Sequence, residues 1–550
     1  MSENKRSSNN KTRRQFIKTG IAGSIAALSL PSLSFAAVPG EYKLLSPVPF
    51  ELDEITVGEL SDGFKSGKYT VRSIAELYIS RINEIDKKGP ALNCVIELNP
   101  DALSIADSLD KELKDKGPRS PLHGIPVLIK DNIDTADKML TTAGSLALMG
   151  SRPIQDSFVV RQLRKAGVLI LGKTNLSEWA NIRSTHSTSG WSGRGGLTKN
   201  PYALDRNTSG SSSGSGAAVS ANLCTVAIGT ETDGSVVSPS SINGIVGFKP
   251  TVGLVSRTGI IPISHSQDTA GPMARTVRDA AFLLSVMAGI DPEDVSTTDK
   301  NRKDYTDYTK FLVEDGLNGS RIGIVRKYFG FLPEVDEVIE KSLELLKQKG
   351  AVLIDPVEIE SIGKFDDSEM NVLLYELKAD MEAYLDRRGP DTPVHSLKDI
   401  IEFNNNHLAE EMPYFRQELF LQAEKKGPLT DKEYIESLVK NLTLTRDEGI
   451  DAVMDKYHLD ALVAPTDSPA WLTDFVDGDH FLGGCSSLPA VAGYPHITVP
   501  AGFVFGLPIG ISFFGRAWSE PVLLKIAYGF EQTSKARRKP EFLPAVELKS

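Results

Sequence analysis

The chain has 550 residues with 72 Asp and Glu against 61 Lys and Arg, a formal net charge of −11. A chain this acidic lacks the basic face that nucleic-acid binding needs, and three cysteines, Cys94, Cys224 and Cys485, are too few for a disulfide scaffold and match no metal-site spacing. Length alone suggests three or four domains, yet no long low-complexity linker or internal repeat divides the chain.

The first element is a targeting segment. Thr12-Arg-Arg-Gln-Phe-Ile-Lys18 precedes an apolar run from Ile21 to Leu30 and then Ser34-Phe-Ala36, the layout of a twin-arginine export signal cut after Ala36. The run is about half the roughly twenty residues a membrane helix needs, so no membrane span is expected. Residues 1–36 therefore read as a cleaved signal peptide that engages the export machinery, and residues 37–550 as a mature periplasmic or secreted protein. Loss of a segment of net charge +5 takes the formal charge from −11 to −16.

The apolar run Ile125-Pro-Val-Leu-Ile129 reads as a buried strand that delivers Lys130 to a sheet edge, followed by Asp131-Asn132. A lysine at a strand end is more often a surface charge. To act as a base it must be neutral, which at pH 7 costs about 4–5 kcal/mol and needs the shift of roughly 3–5 units that burial can supply. Next, a helix about Phe158–Ala166, capped by Asp156 or Ser157 and ended by Gly167, feeds the strand Val168-Leu-Ile-Leu171. Gly167-Val-Leu-Ile-Leu-Gly172-Lys173-Thr174 has the letters of a phosphate-binding loop. The residues between its glycines are the strand itself, so no cradle for phosphate is expected.

Ser209-Gly-Ser-Ser-Ser-Gly-Ser-Gly216 has a linker's composition but runs into a small-residue helix over 217–223 and a strand over 225–228. Gly210-Ser-Ser-Ser-Gly214 fits the nucleophile elbow centred on Ser212, yet the strand that should precede it is missing. In Gly229-Thr-Glu-Thr-Asp-Gly-Ser235, a turn leaving a strand either aims successive N–H groups at one point, as an oxyanion hole does, or is an ordinary Asp-Gly turn. A serine nucleophile needs a base, and neither serine site has a histidine nearby. Lys130 is the candidate.

These segments together resemble the amidase signature family. A lysine after an apolar strand, a Gly/Ser cluster and a Gly-Thr-x-x-x-Gly-Ser segment precede Ile242-Asn-Gly-Ile-Val-Gly-Phe-Lys-Pro250. The likeness continues through Thr251–Pro262 and Ser266–Arg275 and resumes at Gly510-Ile-Ser-Phe-Phe-Gly515. It covers roughly residues 50–535, weakest in 295–455. Glu-Thr-Asp-Gly-Ser235 and Gly-Asp-His-Phe-Leu-Gly-Gly484 bring it nearest to the family's bacterial peptide amidases. The resemblance implies a Ser-Ser-Lys triad with Ser235 as nucleophile, Ser211 as relay after a cis Gly210–Ser211 bond, and Lys130 as base. It further implies an oxyanion hole of the backbone N–H groups of Thr232, Asp233, Gly234 and Ser235, with support from Ser212 and Glu231 and with no cofactor or metal. Val236-Val237 stands where many members have isoleucine-arginine, so any role of that arginine is absent.

Farther along, Arg321–Arg326, a helix near Glu334–Lys349 and Ala351–Ile354 read as β-α-β. Such alternation points to an α/β fold, and the resemblance implies one α/β/α sandwich with a large mixed sheet. Residues 300–320 and about 360–450 are charged and helix-prone and read as a helical covering region. His123 and His265 read as structural or solvent-facing, whereas His480 and Trp471 either line a cleft or pack loops. The expected activity is hydrolysis of a carboxamide through an acyl-enzyme, on C-terminal amides of peptides. An amidase of small aryl or aliphatic amides, or an extracytoplasmic solute-binding protein, are the other readings. Charge and export both argue against the family branch that acts on aminoacyl-tRNA.

Overall fold

Runs of β-branched and apolar residues become thirteen strands among the described residues. In chain order these are β1 (Val95–Leu98), β2 (Pro126–Lys130), β3 (Leu169–Thr174), β4 (Trp191–Ser192), β5 (Gly196–Leu197), β6 (Val226–Glu231) and β7 (Val246–Lys249). There follow β8 (Thr269–Ala274), β9 (Arg321–Ile324), β10 (Val352–Ile354), β11 (Ala461–Pro465), β12 (His496–Val504) and β13 (Leu507–Phe514). This computed structural model describes residues 49–303 and 305–546, so the expected signal segment lies outside the described residues. Contacts group Leu45–Ser550 into one unit.

Eleven strands form one sheet in the order β1-β3-β2-β6-β8-β7-β12-β13-β11-β9-β10, and β4 pairs with β5 apart from it. β2 runs parallel to β3 and β6, β9 runs parallel to β10 and β11, and the remaining pairs are antiparallel. Every residue of β2, β3, β6 and β11 is buried. Successive strand residues point to opposite faces, so both faces of the sheet are covered. The fold is the expected α/β/α sandwich.

Local chemistry sets the elements around β2 and β6. Helix α1 (Phe158–Lys165) is capped by Ser157, whose Oγ accepts the Val160 N–H at 3.2 Å; Asp156 does not take this role. Gly167, at φ +80°, turns the chain into β3. That strand runs through Gly172-Lys173-Thr174, which places the phosphate-loop letters in extended, buried backbone. Helix α2 (Ser213–Ser220) begins four residues before the expected 217–223. Its Ser/Gly sequence has poor helix propensity, but all eight residues are buried, and packing is what stabilises most protein helices. A Cβ on Gly214 would meet the Cys94 and Asn175 carbonyl oxygens at 2.4 and 2.5 Å, so only glycine fits against them.

Helix α3 (Val237–Ile242) follows the Thr232–Ser235 turn, and α4 (Pro333–Gln348) joins the parallel strands β9 and β10 as the β-α-β pattern predicts. The covering region is α5 (Asp366–Arg388), α6 (Leu397–Asn406), α7 (Glu418–Glu424) and α8 (Lys432–Leu442). α5, α6 and α7 share a separate apolar cluster that includes Leu377, Met381, Leu397, Ile400 and Phe420, and α8 packs Tyr434 against Val372 and Tyr375 of α5. Residues 300–320 differ from expectation. Asp307 caps a single 3₁₀ turn at Tyr308–Phe311, after which Leu312 is extended.

Candidate active site

β2 and β6 are parallel neighbours in register, with Ile129 opposite Ile228, so their C-terminal ends emerge side by side. That alignment brings Lys130, the last residue of β2, to Thr230 near the end of β6. Lys130 is fully buried. Its Nζ lies 2.7 Å from Ser211 Oγ, 2.9 Å from Thr230 Oγ1 and 3.2 Å from the Thr230 carbonyl oxygen. Burial drives its pKa down to about 7, against the opposing pull of the Asp268 and Glu231 carboxylates. Three oxygens therefore surround the amine, two of Thr230 and the Ser211 hydroxyl, each within hydrogen-bond reach.

Ser211 is fully buried just before α2, and the Gly210–Ser211 bond is cis, as the resemblance implies. The Ser211 carbonyl accepts the Ser177 N–H at 3.0 Å. Ser235 is 8% exposed, and its hydroxyl makes no hydrogen bond among the described residues. The Ser211 and Ser235 side chains are thus not bonded to each other here. Instead, the Ser212 N–H donates to the Ser235 carbonyl at 3.2 Å. Catalytic hydrogen bonds are commonly loose before substrate binds. Ser212 is not the nucleophile that the elbow pattern suggests. Its buried hydroxyl donates to the Thr230 carbonyl at 3.1 Å and accepts the Thr230 N–H at 3.2 Å, which ties the serine cluster to β6.

Between β6 and α3, the N–H groups of Thr232, Asp233, Gly234 and Ser235 have no acceptor among the described residues. Buried backbone donors are almost always paired, so four in succession beside an unbonded serine hydroxyl make a ready anion site. Glu231 braces this turn. Its Oε2 accepts the Val236 and Val237 N–H groups at 2.8 and 3.0 Å, which joins the last residue of β6 to the start of α3. Gly234, at φ +74°, supplies the reversal. The Asp233 side chain points to Ser487, whose Oγ donates to Oδ2 at 2.6 Å, and burial raises its pKa.

The sequence reading missed three contributors. Asn132 Nδ2 donates to Thr230 Oγ1 at 2.9 Å and thereby orients the group that holds Lys130. Thr230 stands within the quoted Gly-Thr motif without a role of its own. Asp268, pushed up to about 6 by burial, accepts the Thr232 hydroxyl at 2.5 Å. Only adjacency signals Asn132, two residues beyond Lys130.

The remaining residues singled out in the sequence have partners of their own. His123 is buried, with Nε2 on the Leu109 carbonyl, and His265 pairs with Asp380 and Glu376. His480 is exposed, while Trp471 donates to Asp479 at 3.1 Å and packs with Tyr202 and Leu507. Cys94, Cys224 and Cys485 are buried free thiols, and burial pushes the latter two up to about 12. No described helix is long and apolar enough to cross a membrane.

The family model named Amidase matches residues 73–524. An Arabidopsis thaliana protein named "Probable amidase" is 42% identical over 506 residues, covering 90% of this chain and 93% of the relative. A glutamyl-tRNA(Gln) amidotransferase subunit from Thermoanaerobacter pseudethanolicus is 32% identical, covering 89% of this chain and 99% of the relative. The crystal structure of native peptide amidase from Stenotrophomonas maltophilia is 49% identical with a TM-score of 0.85, covering 90% of this chain and 100% of that one. With its large mixed sheet and a family match across most of its length, the chain belongs to the amidase signature family, hydrolases that act on amide C–N bonds.

Proposed function

We propose that the chain is an exported peptide amidase that converts the C-terminal carboxamide of a peptide to a carboxylic acid and ammonia. The observation that carries the chemistry is the buried Lys130 Nζ, 2.7 Å from Ser211 Oγ and with its pKa near 7. Neutral Lys130 takes the Ser211 proton as Ser211 takes that of Ser235, and Ser235 Oγ bonds to the amide carbon. The carbonyl π electrons move to oxygen, where the N–H groups of residues 232–235 receive the charge, an effect of about 3–4 kcal/mol per donor. Collapse breaks the C–N bond, Ser211 gives its proton to the nitrogen as Lys130 returns one to Ser211, and ammonia leaves an acyl-enzyme. Water repeats the attack and frees the acid, so the reaction consumes only amide and water.

For the peptide substrate, support comes from 49–50% identity over whole solved peptide amidases, one of them bound to the competitive inhibitor chymostatin, against 32% for the tRNA amidotransferase relative. Net charge −11 also disfavours a tRNA substrate. The test is ammonia release from a peptide amide, a small aromatic amide and a long-chain fatty amide. The peptide amide is expected to have the highest kcat/KM, and preference for either other compound would overturn the substrate reading. Ser235→Ala is expected to abolish turnover of all three, and an active Ser235→Ala enzyme would refute the mechanism.

A further inference from the structure

We propose that Gln267 is a positioning residue that aims the Asp233 N–H into the oxyanion hole by holding the carbonyl of Thr232. The inference rests on the reading of the 232–235 turn as that hole.

Gln267 is 1% exposed and stands two residues before β8, the antiparallel neighbour of β6, whose first residue Thr269 lies opposite Glu231. The start of β8 is therefore anchored beside the start of the turn. Gln267 Nε2 donates to the Thr232 carbonyl at 3.3 Å and to Glu369 Oε1 at 3.0 Å. A carbonyl only accepts, so the amide nitrogen must face Thr232, and its second proton then reaches Glu369 Oε1. The next residue, Asp268, accepts the Thr232 hydroxyl at 2.5 Å. Thr232 is thus clamped at carbonyl and hydroxyl by consecutive side chains.

The consequence lies in the peptide plane. Cis bonds occur at Gly210–Ser211 and Asp355–Pro356 among the described residues, so Thr232–Asp233 is trans. In a planar trans peptide the C=O and the following N–H point in opposite directions. Fixing the Thr232 carbonyl toward Gln267 therefore fixes the Asp233 N–H away from it, and that N–H is one of the four without an acceptor among the described residues. Without Gln267 the plane would be free to rotate, and a preorganised donor would become one that must reorganise during the reaction. Glu369 in the first turn of α5 holds the far proton of the amide, which links the covering region to the geometry of the hole.

The experiment compares Gln267→Met, which keeps length and removes both donors, with the unaltered enzyme. Three quantities are measured: kcat and KM on a peptide amide, the inhibition constant of a peptide aldehyde that forms an oxyanion on Ser235, and that of the matching peptide alcohol, which cannot. The expected result is a fall in kcat of about 10–100-fold, less than the roughly 10²–10³-fold of deleting a donor outright. KM should stay within about twofold, as for an interaction made only in the transition state. Aldehyde affinity should fall in step with kcat while alcohol affinity stays constant.

Unchanged kcat would overturn the proposal, as would equal losses for aldehyde and alcohol, which a general structural role would produce. Should Gln267→Met fail to fold, Gln267→Leu, which also removes both donors, tests the same link with the same expected pattern and the same overturning outcomes. Ser235→Ala separates the two levels. An active Ser235→Ala enzyme removes the underlying mechanism, whereas an inactive one beside a fully active Gln267→Met enzyme removes the role of Gln267 alone.

Discussion

Three lysines, Lys130, Lys173 and Lys249, end strands of the one large sheet or nearly so, and all three are fully buried. Lys173 meets the Ile133 carbonyl and Thr141, and Lys249 meets the Pro250 carbonyl, whereas Lys130 meets a serine hydroxyl. Partnership, more than burial, sets Lys130 apart as the proposed base. Activity should follow its titration: kcat/KM is expected to rise with pH through about 7 and then level, measured by ammonia release in buffers of constant ionic strength. The same shift has a sign for stability. The folded-state pKa is depressed, so between about 7 and 10.5 the unfolded chain holds one more proton, and stability rises with pH across that window. Below it the penalty is complete, at most about 5 kcal/mol on the scale of 1.36 kcal/mol per unit. Lys130→Met is therefore expected to release no ammonia yet unfold at higher urea concentration at pH 7, with the gain shrinking toward pH 10. Lys130, Ser211 and Ser235 could be named from the sequence because the motif points to side chains; Thr230 and Asn132 could not, because the contacts they make to Lys130 and to each other appear only in the fold.

At the scale of elements, the turn between β6 and α3 depends on a carboxylate that spans it. Glu231→Ala removes the acceptor for the Val236 and Val237 N–H groups and should lower kcat by about 10²-fold, as loss of an oxyanion donor does. Glu231→Gln keeps an acceptor oxygen and should retain most of the activity, checked by steady-state kinetics of both variants. Gly234→Ala is a backbone test. At φ +74° an L-residue costs about 1–2 kcal/mol, and its Cβ would lie 2.9 Å from Ser486 Oγ, so thermal unfolding should shift downward together with activity. Elements with apolar periodicity and clear stops were legible, as α1 and the β9-α4-β10 unit are. The start of α2 was not, because a Ser/Gly helix forms only where surrounding backbone closes on its glycines. Residues 300–320, expected as part of the helical covering region, instead bury Tyr308 and Leu317 in the main core from irregular backbone and one short 3₁₀ turn among the described residues.

For the whole molecule, the export reading is independent of the site and has its own test. Arg13→Lys with Arg14→Lys should hold the enzyme in the cytoplasm of an expressing bacterium, measured by amidase activity in periplasmic and cytoplasmic fractions. A chain beginning at residue 37 should keep full specific activity. The sequence by itself determined the family and the α/β class and proposed which side chains carry the chemistry, because spacing along the chain records which side chains a fold must deliver. Tertiary structure alone decided what those side chains are. Lys130 has a depressed pKa because it is buried, with Ser211, 81 residues away, at its amine, and Gln267 gains its hold on Thr232 with Glu369, 102 residues beyond it, at its other proton. Protonation state and donor direction depend on neighbours across the sheet, and no local pattern encodes who those neighbours are.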